Sequence, residues 1–164
     1  MQVDLVAQPQ YESLVDLLSE LHSYYNNGAV VDSAMVKAHL LENLLGADSP
    51  LRLVVACNDD DQVLGFAAIS LTYSLVEPSP AQRRQCQLKE LYIRSTQRGH
   101  GVGKAIMLWV AHYAVVNGRS RIDWSVKASN VNGIRFYEAL GAQQVADRLS
   151  YRLAEPNLGK LLNR

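Results

Sequence analysis

A chain of 164 residues is long enough to bury one core, and it reads as a single domain, 1–164, with the 48% hydrophobic and 20% charged composition of a globular protein. Its 16 basic and 16 acidic side chains cancel, so no overall field recruits nucleic acid or a membrane surface. Four scattered histidines and two separated cysteines offer no metal-ligand spacing, and no apolar run approaches the ~20 residues that span a bilayer.

Residues 1–10 hold Asp4 and three glutamines where a signal peptide needs an apolar centre. Cys57 and Cys86 fall in or beside expected strands, as buried thiols of a reducing compartment do, so a cytoplasmic location is expected. Val3, Leu5 and Ala7 alternate with polar partners and predict a half-buried strand over 2–7. Pro9 suits a first helical turn, and Tyr11, Leu14, Val15, Leu18, Leu21, His22 and Tyr25 recur at helical spacing up to the breaker Asn26-Asn27-Gly28. Asp32 is placed to cap a second helix carrying Met35, Val36, Leu40, Leu41, Leu44 and Leu45, closed by Gly46.

Residues 51–57 and 63–73, joined by the acidic turn 58–61, predict an antiparallel hairpin. The Pro-containing stretch 74–85 reads as a loop, 88–93 as a strand and 105–116 as a mostly buried helix. A strand is expected over 121–127 and a last strand or bent hairpin over 145–153. Glu155-Pro156 then opens a short helix ending near Leu162. The order β-α-α-β-β-β-α-β-α-β is neither strict alternation nor segregation, and by itself gives only an α/β fold with a mixed sheet.

The densest signal is Gln97-Arg98-Gly99-His100-Gly101-Val102-Gly103-Lys104, between an expected strand and helix. Glycines at every second position leave backbone N–H groups uncovered by Cβ, and the helix start adds unpaired donors and a positive dipole end. That combination suits a pyrophosphate. A P-loop would need glycine at Arg98 and Ser or Thr at Ala105; a dinucleotide fingerprint from Gly101 would need glycine at Ile106. What remains, Arg98-x-x-Gly101-x-Gly103, resembles the R/Q-x-x-G-x-G/A signature of the GNAT superfamily of acyl-CoA-dependent N-acyltransferases. Asn130-Val131-Asn132-Gly133-Ile134-Arg135-Phe136-Tyr137, continuing to Gly141-Ala142, is similar to that family's N-x-x-A-x-x-[FL]-Y-x-x-x-G-[FA] segment. A plain reading stands beside each: a tight Gly-rich connection, and a helix capped at Asn130 and stopped at Gly141.

The resemblance implies a central mixed, mostly antiparallel sheet whose fourth and fifth strands splay around the pantetheine arm, flanked by helices. It implies acetyl-CoA as donor, with Arg98, Gly99, His100, Gly101, Val102, Gly103 and Lys104 on the pyrophosphate, and the backbone of Leu91, Tyr92 and Ile93 pairing with the pantetheine. A backbone N–H of Leu91 or Tyr92 would polarise the thioester carbonyl. Asn130, Gly133 and Tyr137 would join the coenzyme site, Tyr137 facing its sulfur as the acid that protonates the departing thiolate. The first two helices would wall the acceptor pocket, making Tyr24, Tyr25, Asn26 and Asn27 substrate contacts, or else the tyrosines are half-buried helix-end aromatics.

Glu90 interrupts an apolar strand, where an unpaired carboxylate is costly. It is the candidate base for the acceptor ammonium and a further substrate contact; otherwise it faces solvent or a basic partner, since Lys89 and Glu90 cannot both face the core. An acyl-cysteine route through Cys86 lacks a histidine at readable spacing. Within the family the chain looks most like the diamine (spermidine/spermine) acetyltransferase-like branch, whose polyamine enzymes carry paired acids where Lys89-Glu90 stands. The acceptor therefore stays open among amino acids, aminoglycoside-like amines and diamines. The function implied is N-acetylation of a small amine by direct attack in a ternary complex, without metal and with a homodimer expected from the family. The alternatives are a protein lysine or N-terminal acetyltransferase and a non-catalytic acyl-CoA-binding module.

Overall fold

The polypeptide runs through one mixed sheet before it reaches its last two helices. The structure, a computed structural model, describes residues 1–162; residues 163 and 164, the end of the expected domain, lie outside the described residues. The elements are β1 (Gln2–Leu5), α1 (Tyr11–Tyr25), α2 (Ser33–His39), β2 (Leu51–Cys57), β3 (Val63–Tyr73), β4 (Arg84–Ile93), α3 (Val102–Val116), β5 (Ile122–Asp123), α4 (Val131–Ala139) and α5 (Asn157–Leu162). The chain clusters into two units, Met1–Ser125 and the part from Val126 onward.

The first unit holds the whole sheet, in the order β1-β2-β3-β4-β5. Neighbours are antiparallel except β4 and β5, which run parallel. Alternation along β2 hands Leu53, Val55 and Cys57 to a cluster under α1, built on Leu14, Val15 and Leu17, which also takes Leu40, Val63, Phe66, Ala68 and Tyr92. Val54 and Ala56 are left for the opposite face. There α3 lies, sealed by Val102, Ile106, Met107, Val110 and Ala114. Gly65 is required at that interface. A Cβ on it would stand 2.6 Å from Cδ1 of Ile93, 3.1 Å from the Tyr92 carbonyl oxygen and 3.2 Å from Cγ1 of Val102.

The expected fold class is present, with boundary changes that have local causes. β1 ends at Leu5, although the Val6 N–H still donates to the Leu53 carbonyl at 2.9 Å. Asp32 caps the second helix by accepting from the Ala34 N–H at 3.0 Å, but the α-helical part stops at His39 and a π-helical turn, Leu40–Leu44, carries the chain on. β4 starts at Arg84, because Ser74 N–H to Arg83 carbonyl, 2.7 Å, closes the preceding loop and brings the strand in early. α3 starts at Val102, three residues before the apolar run. Two expected strands shrink or fail. The one over 121–127 is reduced to Ile122–Asp123, paired with Cys86 and Gln87 alone. Residues 145–153 form no strand. Leu149 and Tyr151 there are 78% and 88% exposed, so no neighbouring surface rewards the alternation.

In the second unit, Asn130 caps α4 by accepting the Gly133 N–H at 3.0 Å, and Gly141, at φ +88°, ends the helical region. α5 forms where the sequence places it.

Candidate functional site

After β4 the chain makes a short 3₁₀ turn, Ser95–Gln97, and enters α3 through the glycine loop. Gly99 and Gly101 take φ +80° and +82°, the left-handed region that side chains avoid, and nothing lies within 4 Å of where a Cβ on either would stand. Gly101 is the N-cap residue of α3 and offers no side-chain cap, and the first turn carries no acidic residue. The opening N–H groups of a fifteen-residue helix therefore stand beside open space, with no side-chain cap and no acidic residue in the first turn to offset the positive dipole end. Gly103 sits inside α3 with ordinary helical φ, and buried Val102 packs toward Gly65, so these two offer backbone only.

The loop is tied down by its own side chains. Arg98 Nε donates to the Ile93 carbonyl at 3.1 Å, and its guanidinium lies over the rings of Tyr92 (5.2 Å) and Tyr24 (5.6 Å). His100 Nδ1 stands 2.9 Å from the Arg98 carbonyl oxygen, an acceptor, so that nitrogen carries the proton. Arg98 is thus an anchor within the loop, a role the motif alone did not reveal.

A β-bulge in β4 decides where Glu90 goes. Leu88 pairs with Ile69 and Glu90 with Ala68, which leaves Lys89 as the extra residue. Adjacent Ile69 and Ala68 point to opposite faces, so Leu88 and Glu90 do too. Cys86 and Leu88 are buried on the α3 side, while Glu90 and Tyr92 turn toward α1 and Lys89 is exposed. Strict alternation would have sent Glu90 beneath α3. On the α1 side it meets Tyr25, whose hydroxyl donates toward Oε2 at 3.2 Å and Oε1 at 3.4 Å. Tyr24 packs edge-on to Tyr25 at 5.2 Å and tilted against Tyr92 at 5.8 Å. Asn27 lies just past α1 in the left-handed region, φ +53°, followed by Gly28 at +86°.

Backbone direction separates Leu91 from Tyr92. The Arg94 N–H donates to the Leu64 carbonyl of the β3 side at 2.9 Å. By antiparallel alternation Tyr92 also points its N–H at β3, whereas Leu91 and Ile93 point to the other edge. Since β5 covers only Cys86 and Gln87, that edge of β4 has no strand partner over Leu88–Ile93 among the described residues. This is the splay.

Glu20 is the member sequence reasoning missed. One carboxylate oxygen accepts the Tyr92 hydroxyl at 3.2 Å and the Ser95 N–H at 2.7 Å, and the other lies 3.7 Å from Arg94 Nη1. Partial burial works against its charge, but the Ser95, Tyr92 and Arg94 interactions outweigh it and hold the carboxyl below its ordinary range. The Tyr92 phenol is pushed up, first by burial and then by Glu20 beside it. The available signal was spacing: Glu20 stands four residues before Tyr24 on one helix face.

The first unit thus gathers Tyr24, Tyr25, Glu90, Leu91, Tyr92 and the glycine loop. Asn130, Gly133 and Tyr137 belong to the second, where Asn130 and Gly133 build the α4 cap and Tyr137 packs edge-on to Phe136 at 5.2 Å. A Cβ on Gly133 would lie 2.6 Å from Asn130 Nδ2, so the glycine lets the cap close. Cys86 is fully buried, and burial pushes its thiol and that of Cys57 up, away from nucleophilic use. Among the described residues no cluster of His, Cys, Asp or Glu could hold a metal ion, and no helix is long and apolar enough to cross a membrane.

Comparison with known proteins adds three relatives and a family. The chain is similar to L-ornithine N5-acetyltransferase of Arabidopsis thaliana, 35% identical over 85 residues, 52% of this chain and 36% of that protein. It is similar to thialysine N-epsilon-acetyltransferase of Bos taurus, 29% identical over 85 residues, 52% of this chain and 47% of that one. The matches thus span under half the length of these curated relatives. A solved integron cassette protein from the mobile metagenome of V. cholerae superposes with a TM-score of 0.87 at 25% identity, covering 99% of this chain and 98% of that one. The acetyltransferase (GNAT) family model matches residues 12–142. By that match, over a fold that carries the loop and the splay, the chain belongs to the GNAT family.

Proposed function

We propose that the whole chain, 1–164, is one acetyl-CoA-dependent N-acetyltransferase domain acting on a primary amine of a small molecule, by direct attack in a ternary complex. The observation that carries this reading is the juxtaposition, within one family fold, of an open left-handed glycine loop at an uncapped helix start and a carboxylate turned by a bulge toward an aromatic wall. The residues fit the coenzyme: Gly99 and Gly101 leave the space a Cβ would fill, and the α3 N–H groups provide unclaimed donors. When bound, acetyl-CoA supplies an activated acyl thioester.

The rest is work for this chain. The loop from Arg98 to Lys104 holds the pyrophosphate, with Arg98 acting on the loop and the glycine backbone on the phosphates. The open edge at Leu91 and Ile93 receives the pantetheine amides, and the Leu91 N–H is the donor aimed where the thioester carbonyl oxygen gains charge. Glu90 accepts the proton of the acceptor ammonium, since a free amine is almost wholly protonated at neutral pH. Tyr137 delivers its phenolic proton to the departing sulfur. One C–N bond forms, one C–S bond breaks, the nitrogen's second proton makes good the one Tyr137 gave up, and the products are an amide and a thiol. Tyr24 and Asn27 wall the acceptor side, with the Tyr25 hydroxyl set against Glu90. The ornithine and thialysine enzymes named above support a small amine as acceptor. A homodimer and a cytoplasmic location go with this reading, from family resemblance and the two buried thiols.

The test is release of free thiol from acetyl-CoA against a panel of diamines, diamino acids, aminoglycosides and lysine peptides. Turnover with a small amine is expected. Tight acetyl-CoA binding with no acceptor consumed would point to a non-catalytic module, and turnover of peptides alone to a protein acetyltransferase.

A further inference from the structure

Two consecutive tyrosines end α1, and they divide between the two halves of the site. Tyr24 puts its ring beneath the Arg98 guanidinium and against Tyr92, so it belongs with the glycine loop. Tyr25 instead reaches across to β4, sixty-five residues away, and aims its hydroxyl between the two oxygens of Glu90. Such an arrangement is expensive to obtain by chance: it requires the helix to stop at this residue and the bulge to turn Glu90 to this face. The helix end is held by three bonds, Asn26 N–H to His22 carbonyl at 3.0 Å, Asn26 Nδ2 to the same carbonyl at 2.8 Å, and Gly28 N–H to Ser23 carbonyl at 2.9 Å. Gly28 can make its bond because it takes φ +86°. Tyr24, edge-on to Tyr25, restricts the second ring further.

We propose that Tyr25 is a positioning residue: its phenol holds and orients the Glu90 carboxylate as the proton acceptor, in place of acting as a plain contact for the substrate. The proposal rests on Glu90 being the base in the proposed reaction. At 3.2 and 3.4 Å the bonds are longer than the ~2.7 Å of a strong charge-assisted O–H···O⁻ bond, which suits a site whose hydrogen bonds tighten only with the acceptor bound. A hydroxyl shared between two oxygens aims the carboxylate, and each ionised oxygen has more than one acceptor site. A hydroxyl donor stabilises negative charge on the oxygens it faces. Other charged or titratable groups near this end of α1 and the facing stretch of β4 are Glu20, His22 and Tyr24 on α1, Lys89 and Tyr92 on β4, and Arg94 and Arg98 beyond it; Ala68 of β3 stands opposite Glu90. Glu20, Tyr92, Arg94 and Arg98 are engaged with one another or with the loop, while the Tyr25 hydroxyl, a neutral donor, faces Glu90.

The test is Tyr25→Phe, alone and combined with Glu90→Gln. Alone, it should lower kcat at neutral pH about tenfold, the worth of one hydrogen bond to a charged group, with KM for acetyl-CoA unchanged. The acid limb of its pH–rate profile should move to higher pH, with the rate approaching wild type in alkali. In the Glu90→Gln background Tyr25→Phe should cost nothing further, because the group it acts through is gone. Losses that multiply in the double variant, or a raised KM for the amine in both backgrounds, would overturn the proposal and return Tyr25 to substrate contact. A readout independent of turnover is the ¹³C titration of the Glu90 carboxyl, whose midpoint should rise in Tyr25→Phe. An unmoved midpoint in the folded variant overturns the proposal. If wild-type protein turns over no amine while that midpoint does rise, the phenol holds the carboxylate and it is the acetyltransferase reading that falls.

Discussion

Glu90 and Tyr137 are assigned opposite proton work, and substitution can separate them. Tyr137→Phe keeps the ring and its edge contact with Phe136, so fold and acetyl-CoA affinity should hold while kcat falls about 10²–10⁴-fold, the usual worth of a positioned acid. Glu90→Gln keeps shape but cannot accept a proton. Its rate should recover as pH rises and the amine deprotonates unaided, whereas the Tyr137→Phe loss should persist. A pH–rate profile of both variants checks this; equal impairment of Glu90→Gln at every pH would make Glu90 a binding residue. The loop glycines divide in the same way. Gly101→Val forces a β-branched residue to φ +82° and should cost about 1–3 kcal/mol of stability as well as coenzyme affinity. Gly103→Ala, inside the helix, carries no such strain, and its effect on calorimetric acetyl-CoA titration should come from crowding alone. Residue types at this scale were legible: the glycines, the lone acid in an apolar strand, and tyrosines at a helix end. The stacking of Arg98 on Tyr24 and the Glu20 bonds were not, because both join residues more than seventy positions apart.

At the scale of elements, the bulge at Lys89 connects strand pattern to chemistry. Alternation read from sequence assigns faces by parity, and one inserted residue reverses every side chain beyond it. No residue type marks a bulge at Lys89, so which face Glu90 takes was open until the pairing of β3 with β4 was seen. The amphipathic helices and the central hairpin were readable because their patterns are long and their partners close in sequence. Residues 145–153 show the opposite: alternation there predicts a strand, yet no neighbouring strand receives it, and β5 is short for a related reason, being paired with only two residues of β4. Gly65 of β3 lets Ile93 of β4 and Val102 of α3 close tightly over it. Gly65→Ala should destabilise by about 1–3 kcal/mol, because Ile93, Val102 and the Tyr92 backbone already occupy the space. Urea unfolding measures it, and an unchanged midpoint would mean that sheet and helix part more easily than this geometry implies. Since Ile93 and Val102 flank the glycine loop, coenzyme affinity should weaken alongside stability.

For the whole molecule, the first unit joins α1, the sheet and the loop through Glu20, and that junction depends on charge. Its carboxyl is held below the ordinary value of 4.5, so its contribution to stability is fully present above that pH and is lost as pH falls through the lowered value. The gap in urea midpoint between wild type and Glu20→Gln should therefore be largest at neutral pH and close under acid conditions; a gap constant with pH would show that Glu20 acts by shape alone. Direct transfer, however, is the claim on which the rest stands, and two-substrate initial-rate kinetics with acetyl-CoA and the best amine test it most directly. The account predicts intersecting double-reciprocal lines, no isolable acetyl-enzyme, and Cys86→Ala within a few-fold of wild type, since that thiol is fully buried and pushed up by burial. Parallel lines with an acetyl group trapped on Cys86 would contradict it.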